Sequence, residues 1–121
     1  MFIARGHQRP VGRLPDELAV SVVTIGELEL GVLAAPDAET RALRADTLAL
    51  ARSADPIAVT EAVMGAFARL THECRQAGTR PKILDALIAA TAIEHGLPVV
   101  TQDDDFAAMS HAHQQLVVER V

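Results

Sequence analysis

The sequence predicts an α/β fold, a three-layer sandwich in which helices cover both faces of a mainly parallel sheet. Short valine-rich runs that lack polar alternation are typical of strands buried on both faces. These runs alternate with segments of helical periodicity, which is the order expected of βαβ units. The chain has 121 residues, of which 50% are hydrophobic and 22% charged, so we expect one globular domain with its own core.

The first elements follow a predicted loop over residues 5–17, which is rich in Gly and Pro near its start. Residues 18–23 are apolar apart from one serine and are predicted to form a strand. Residues 24–27 match the Ser/Thr-x-x-Glu capping box, so a helix is expected to begin there and to continue through 28–35. Pro36 ends it.

A second helix is predicted over residues 37–53, and Pro56 follows shortly after its end. Residues 57–59 form a short strand candidate. Residues 60–78 then carry apolar side chains at spacings near 3.6, which predicts an amphipathic helix closed by its final glycine. Cys74 falls on the apolar face of that helix and is interpreted as a small buried hydrophobe.

The last third of the chain opens with an alanine-rich, nearly all-apolar helix over residues 84–95, stopped by Gly96. Residues 98–101 predict a buried parallel strand, after which a short helix is expected beyond Phe106. Residues 116–118 predict the last strand.

Composition excludes several kinds of protein. The balance of 11 basic against 16 acidic residues gives a net charge of −5, which disfavours general attraction to nucleic acid but leaves room for a local basic patch. With three Phe and no Trp or Tyr, a sequence-tolerant single-strand binder is disfavoured. The single cysteine excludes an internal disulfide, and no apolar run reaches membrane length, so we expect a cytoplasmic protein.

Acidic residues follow the predicted strands or open the apolar helix. Glu27, Asp85 and the run 103–105 each have a structural interpretation: a capping box, a first-turn acid favoured by the helix dipole, and a solvated turn. Ligands bind beyond the carboxyl ends of parallel strands, so these acids are expected to converge. Converging carboxylates repel unless a divalent cation or a proton joins them, and oxygen ligands select Mg²⁺ or Mn²⁺. Metal-assisted phosphodiester hydrolysis follows as the reaction class.

Cationic and histidine residues provide weaker signals. Arg80 and Lys82, close before Asp85, are candidates for gripping an RNA backbone, with ordinary surface charge as the alternative. The same alternatives hold for three residues of the first loop, Arg5, Arg9 and Arg13. His111 and His113 are interpreted as part of a solvated tail rather than as metal ligands.

Three segments together resemble the PIN-domain ribonucleases, and most closely the VapC toxins of VapBC toxin-antitoxin modules. They are Val23-Thr24-Ile25-Gly26-Glu27-Leu28 with Gly31, Leu84-Asp85-Ala86-Leu87-Ile88-Ala89-Ala90-Thr91-Ala92, and Val100-Thr101-Gln102-Asp103-Asp104-Asp105-Phe106. By position the resemblance implies an acidic site of Glu27, Asp85 and Asp103. It adds Asp105 as a further metal ligand and Thr101 as a supporting hydroxyl, whereas Asp104 matches a variable position.

The resemblance implies a Mg²⁺- or Mn²⁺-dependent endoribonuclease that is the toxin of a type II toxin-antitoxin module. Its implied partners are an RNA substrate, often tRNA or rRNA, a cognate VapB-type antitoxin and a second copy of the chain. Family members begin with an apolar strand at the centre of the sheet, and residues 2–5 look like the helix that follows that strand. We therefore expect a single PIN-like domain over residues 1–121 without the central first strand, and an upstream start of the natural product.

Two other functions remain open from the sequence. The chain could be a catalytically inactive, truncated remnant that still binds an antitoxin or dimerises. A phosphoacceptor receiver domain also gathers acids at strand ends, but that family's pattern places a lysine after a late strand, whereas Lys82 precedes a helix.

Overall fold

The structure is a computed structural model that describes residues 2–4, 18–102 and 104–121. Two strands come first and four helices then follow in succession, so the predicted alternation of strands and helices holds only from the fourth helix onward. In chain order they are β1 (Phe2–Ala4), β2 (Leu18–Ala19), α1 (Val22–Leu33), α2 (Ala38–Arg52), α3 (Glu61–Gln76), α4 (Ile83–Glu94), β3 (Val99–Thr101), α5 (Ala107–Ala112) and β4 (Val118–Arg120).

The four described strands form one sheet in the order β2-β1-β3-β4. Strands β3 and β4 are parallel, with Val99 opposite Val118 and Thr101 opposite Arg120. Strand β1 is antiparallel to both β2 and β3, so β2, β3 and β4 all run in the same direction. Successive residues of a strand point to opposite faces, and all three residues of β3 are buried, so the sheet is covered on both faces there. The predicted α/β sandwich with a mainly parallel sheet is confirmed.

The prediction of a helix at residues 2–5 is wrong for residues 2–4, the part of that range that the structure describes. Phe2–Ala4 is strand β1, and Ile3 pairs with Ala19 on one side and with Val99 on the other. The strands on either side offer backbone hydrogen-bond partners to this segment, which favours the extended conformation over a helix. Strand β1 thus lies inside the sheet, in the region where the resemblance implies a parallel strand.

The first helix begins earlier than the capping-box pattern predicts. Strand β2 ends at Ala19, and Ser21 caps α1 by accepting a hydrogen bond from the backbone N–H of Val23 at 3.1 Å. The valine run that predicted a strand to residue 23 is therefore already helical. Glu27 lies well inside α1, so the capping-box interpretation of this residue is wrong.

Of the predicted strand at residues 57–59, the structure shows only a single isolated β-bridge at Ile57. Ile57 pairs in parallel with Ser21, and its backbone exchanges hydrogen bonds with Val20 and Val22 at 2.7 and 3.0 Å. The neighbouring residues make no strand ladder in the described chain, because α1 begins directly after Ser21 and removes the partner backbone. The last strand also differs from its prediction, since β4 covers Val118–Arg120 rather than residues 116–118.

Local signals predicted the remaining helices within one or two residues. Asp37 and Thr60 cap α2 and α3 by accepting hydrogen bonds from backbone N–H groups two or three residues into each helix. Gly78 and Gly96 follow α3 and α4 with φ of 81° and 64°, the left-handed conformation that glycine adopts without a steric penalty.

The core lies where α4 packs against α3 and the sheet. Ile88 on α4, Leu70 on α3 and Phe106 before α5 are fully buried members of one hydrophobic cluster. Cys74 belongs to the same cluster, and burial raises the pKa of its thiol, as fits a small buried hydrophobe. Among the described helices, none combines the length and the apolar character that crossing a membrane would require.

Candidate active site

Asp85 is held in a buried position at the start of α4. It is the third residue of the helix, and only 9% of its surface is accessible. The backbone of Lys82 begins the helix by accepting a hydrogen bond from the N–H of Ala86 at 2.9 Å. The unpaired N–H groups and dipole of this helix end favour a negative charge, which offsets part of the cost of burying a carboxylate.

Glu27 on α1 feels the charge of Asp85. Partial burial of its carboxyl raises the pKa of Glu27, and the negative charge of Asp85 raises it further, although much of the side chain still faces solvent. The two carboxylates therefore share one electrostatic environment. That these two acids belong to one site stays a prediction from the sequence.

Asp85 and Asp105 line one cleft of about 190 Å³, which we call the acidic cleft. Two predicted RNA-binding residues, Arg80 and Lys82, line it as well. The complete lining is Thr79, Arg80, Pro81, Lys82, Asp85, Asp105, Ala108 and Met109. The structure thus brings the loop before α4 and the turn before α5 to the same place. Carboxylates and cations meet there, as hydrolysis of a phosphodiester on a metal requires.

Asp104 is directed elsewhere than Asp105. Its carboxylate accepts a hydrogen bond from the guanidinium of Arg120 on β4, and its carbonyl accepts one from the N–H of Ala107 at 3.0 Å. These contacts hold the turn that contains Asp104 against the start of α5 and against the edge of the sheet. Asp104 is therefore a structural residue here, in agreement with its match to a variable position.

The other predicted site residues are placed as follows. Thr101 is buried at the end of β3, opposite Arg120 in β4. Asp103 lies outside the described residues, and so do the candidate RNA-binding residues of the first loop, Arg5, Arg9 and Arg13.

The oxygen donors that are described fit a hard divalent cation. Within residues 2–4, 18–102 and 104–121, no three His, Cys, Asp or Glu side chains form a cluster that could hold a metal ion. The charge of Asp85 instead acts on Glu27, and its side chain lines the acidic cleft together with Asp105. Mg²⁺ is commonly held by one or two carboxylates and several waters, so this donor set suits it. Asp103, two residues before Asp105 in the sequence, lies outside the described residues and stays a predicted further ligand.

His113 contradicts its interpretation as part of a solvated tail. The residue is buried, and its Nδ1 contacts the carboxylate of Glu73 on α3, whereas His111 is exposed. The periodicity of α5 carried the signal, because His113 lies four residues after the buried Met109 and so shares its face. The role of His113 is to tie the end of α5 to α3.

Comparison with known proteins identifies the family of this chain. Residues 3–112 match the model of the PIN domain. The chain belongs to the PIN-domain family. The matched range contains every acid of the predicted site, from Glu27 to Asp105. Within the family this PIN domain is similar to ribonuclease VapC8 of Mycobacterium tuberculosis, with 58% identity over 94 residues, which cover 76% of this chain and 84% of that relative.

Further relatives and solved structures agree with the PIN-domain assignment. Ribonuclease VapC4 of the same organism is 50% identical over 93 residues, which cover 77% of this chain and 72% of VapC4. The crystal structure of VapBC-5 from M. tuberculosis, a member of the VapBC family of toxin-antitoxin systems, is 41% identical with a TM-score of 0.82 over 89% of this chain and 85% of that one. FitAcB from Neisseria gonorrhoeae, 23% identical with a TM-score of 0.69 over 88% and 76%, shares the fold.

Proposed function

We propose that this PIN domain is a Mg²⁺-dependent endoribonuclease and the toxin of a type II toxin-antitoxin module, with Mn²⁺ as a competent substitute. The observation that carries the proposal is the buried Asp85, which lines a cleft with Asp105 and raises the pKa of Glu27. The names of its relatives, ribonucleases VapC8 and VapC4, support the same activity.

The acids hold the cation in this proposal. Asp85 is the anchor, because its burial and its place in the first turn of α4 fix the carboxylate before any ligand arrives. Glu27 and Asp105 approach it from other elements, and Asp103 is the further ligand implied by the family resemblance. A bound Mg²⁺ would stabilise negative charge on the scissile phosphate and lower the pKa of a water molecule. A carboxylate of the set can then accept a proton from the attacking water.

The cations of the acidic cleft would hold the substrate. Arg80 and Lys82 lie five and three residues before Asp85 and line the same cleft, so a phosphodiester bound to them would lie beside the carboxylates. The whole chain carries a net charge of −5, which repels RNA at long range. Binding is therefore expected to depend on these few local contacts and to weaken as salt is added.

A cognate antitoxin is the second partner that we propose. The similar structure VapBC-5 is described as a member of a toxin-antitoxin family, and the 41% identity makes this chain a close relative. A VapB-type protein would hold this chain inactive until it is removed. A homodimer of the toxin stays a prediction from the sequence.

An RNA cleavage assay tests the proposal. The purified chain is incubated with total tRNA and rRNA in Mg²⁺, in Mn²⁺ and in excess EDTA, and the new RNA ends are sequenced. We expect discrete internal cuts with either metal and none with EDTA. A folded chain that cuts no RNA with either metal would contradict the proposal and favour the inactive remnant that binds an antitoxin or dimerises.

A further inference from the structure

A second, larger cleft lies next to the acidic cleft. It has a volume of about 620 Å³ and runs between α3 and the segment that leads into α4. Its lining includes Phe67, Thr71 and His72 from α3 and Arg80, Pro81 and Ile83 from the other side. We call it the base cleft, for the ligand argued below.

The two clefts share a wall. Arg80 and Pro81 line both, so a molecule that extends from the acidic cleft past these residues enters the base cleft. A polynucleotide carries a base on the sugar at each side of every phosphate. A phosphate held between Asp85 and Lys82 therefore brings a neighbouring base to this wall.

The chemistry of the lining suits a flat ring with a polar edge. Phe67 and Ile83 provide apolar surface, and the aromatic ring can stack on a base. Arg75 and Arg80 supply cations on the same lining, and no acidic residue is among the described residues that form it.

We propose that the base cleft binds one nucleobase of the RNA substrate, next to the scissile phosphate, and so sets a base preference for cleavage. The inference rests on the proposed ribonuclease function and adds to it the place where sequence is read. Arginines beside an aromatic ring, in a protein whose overall charge is negative, favour a nucleotide over an apolar protein segment.

Filling the cleft tests the proposal by activity. Ala68 lines the base cleft and is exposed, so Ala68→Trp can occupy the cleft without disturbing the core. A random single-stranded RNA pool is cut by the wild type and by Ala68→Trp, and the bases at the cut are counted. We expect a base bias in the wild type, loss of that bias in Ala68→Trp, and kcat/KM lowered roughly 5- to 150-fold, the range that one stacked base contributes. Leu43→Ala, exposed on α2, is the matched control and should keep both the bias and the rate.

Photocrosslinking provides a readout that does not need cleavage. Single-stranded RNA that carries 4-thiouridine is irradiated with the wild-type chain, and mass spectrometry locates the attached nucleotide. Crosslinks within residues 67–75 support the inference, even if no RNA is cut and the proposed ribonuclease function fails. Cleavage with crosslinks only elsewhere and an unchanged bias in Ala68→Trp would overturn the inference while leaving the ribonuclease function intact. An unchanged bias together with loss of dimer or antitoxin binding in Ala68→Trp would also overturn it and identify a protein-binding surface.

Discussion

Partial burial, and after it the negative charge of Asp85 on α4, raises the pKa of Glu27 on α1. A carboxylate close to another negative charge is harder to ionise, so the charged form of Glu27 is disfavoured next to Asp85. Burial adds to the effect at Glu27 and keeps Asp85 in place. This relationship links α1 to α4 and makes the ionisation of Glu27 depend on Asp85.

Replacing Asp85 should remove activity without harming the fold. Asp85→Asn keeps the shape of the side chain but withdraws one negative charge from the acidic cleft. We expect Mg²⁺-dependent RNA cleavage to fall by more than about 100-fold, because even the outer-shell partners of metal ligands contribute 10- to 100-fold. The melting temperature should stay close to that of the wild type, since the substitution keeps the volume and the shape of the side chain.

Asp104→Asn is the matched control for that experiment. Asp104 pairs with Arg120 at the surface, and such exposed pairs contribute about 0 to 1 kcal/mol. Its cleavage rate should change by less than about 5-fold. Equal losses in Asp85→Asn and Asp104→Asn would argue against a special role for Asp85.

The raised pKa of Glu27 predicts how metal binding and stability depend on pH. Because the pKa of Glu27 is raised above 4.5, the usual pKa of a glutamate, the folded protein keeps a proton on Glu27 to a higher pH than the unfolded chain does, and Mg²⁺ binding near that pH must displace the proton. Mg²⁺ affinity, measured by calorimetry, should therefore weaken as pH falls through the raised pKa. Without metal, Glu27 makes folding less favourable as pH rises from 4.5 through the raised pKa, because the folded state binds the proton more tightly there.

The Glu27→Gln variant checks the sign of this linkage. Without metal at neutral pH it should be more stable than the wild type towards urea, and its stability should lack this fall with pH. A Glu27→Gln variant that is less stable at neutral pH would show that Asp85 does not destabilise the charged form of Glu27.

The cap of α3 gives a prediction about stability alone. Thr60 accepts a hydrogen bond from the N–H of Val63 at 3.2 Å, and replacing such a cap with alanine costs about 1 kcal/mol. Thr60→Ala should lower the urea midpoint accordingly. Thr47→Ala, at an exposed site inside α2, should change the free energy of unfolding by less than about 0.5 kcal/mol. A larger loss for Thr47 than for Thr60 would contradict the observed capping.

The pair of His113 and Glu73 gives a second prediction about stability. His113→Ala removes a buried ring that contacts the Glu73 carboxylate, so we expect a loss of about 1 to 3 kcal/mol in the free energy of unfolding. His111→Ala, two residues earlier and exposed, should cost little. Equally small effects of both substitutions in urea titrations would support the interpretation of His113 as part of a solvated tail.

Sequence reasoning worked where the signal was local. The caps Asp37 and Thr60 and the glycines after α3 and α4 act within a few residues, and those helices begin and end where these signals predict. The reasoning failed near Ser21, because both Ser21 and Thr24 can cap a helix and the valines between them favour a strand. The backbone pairing of Ile57 with Ser21 settles that choice, and it depends on residues far apart in the chain.

Some residues of the candidate site could likewise be predicted from local sequence signals, whereas the contacts of others depend on packing. Asp85 and Asp105 could be singled out because each follows or opens an element that the sequence defines, and the fold brings both to one cleft. The pairing of Asp104 with Arg120 and the contact of His113 with Glu73 could not be predicted, because each joins elements by packing alone. Asp103 stays a prediction, since it lies outside the described residues.

Anomalous diffraction from crystals of the chain soaked in Mn²⁺ shows directly whether the carboxylates of the acidic cleft bind a divalent cation. We predict a single Mn²⁺ peak in the acidic cleft, with an Asp85 carboxylate oxygen and at least one oxygen of Glu27, Asp103 or Asp105 about 2.0 to 2.3 Å away. A crystal in which Mn²⁺ binds elsewhere, with no peak beside Asp85 at saturating metal, would contradict the claim.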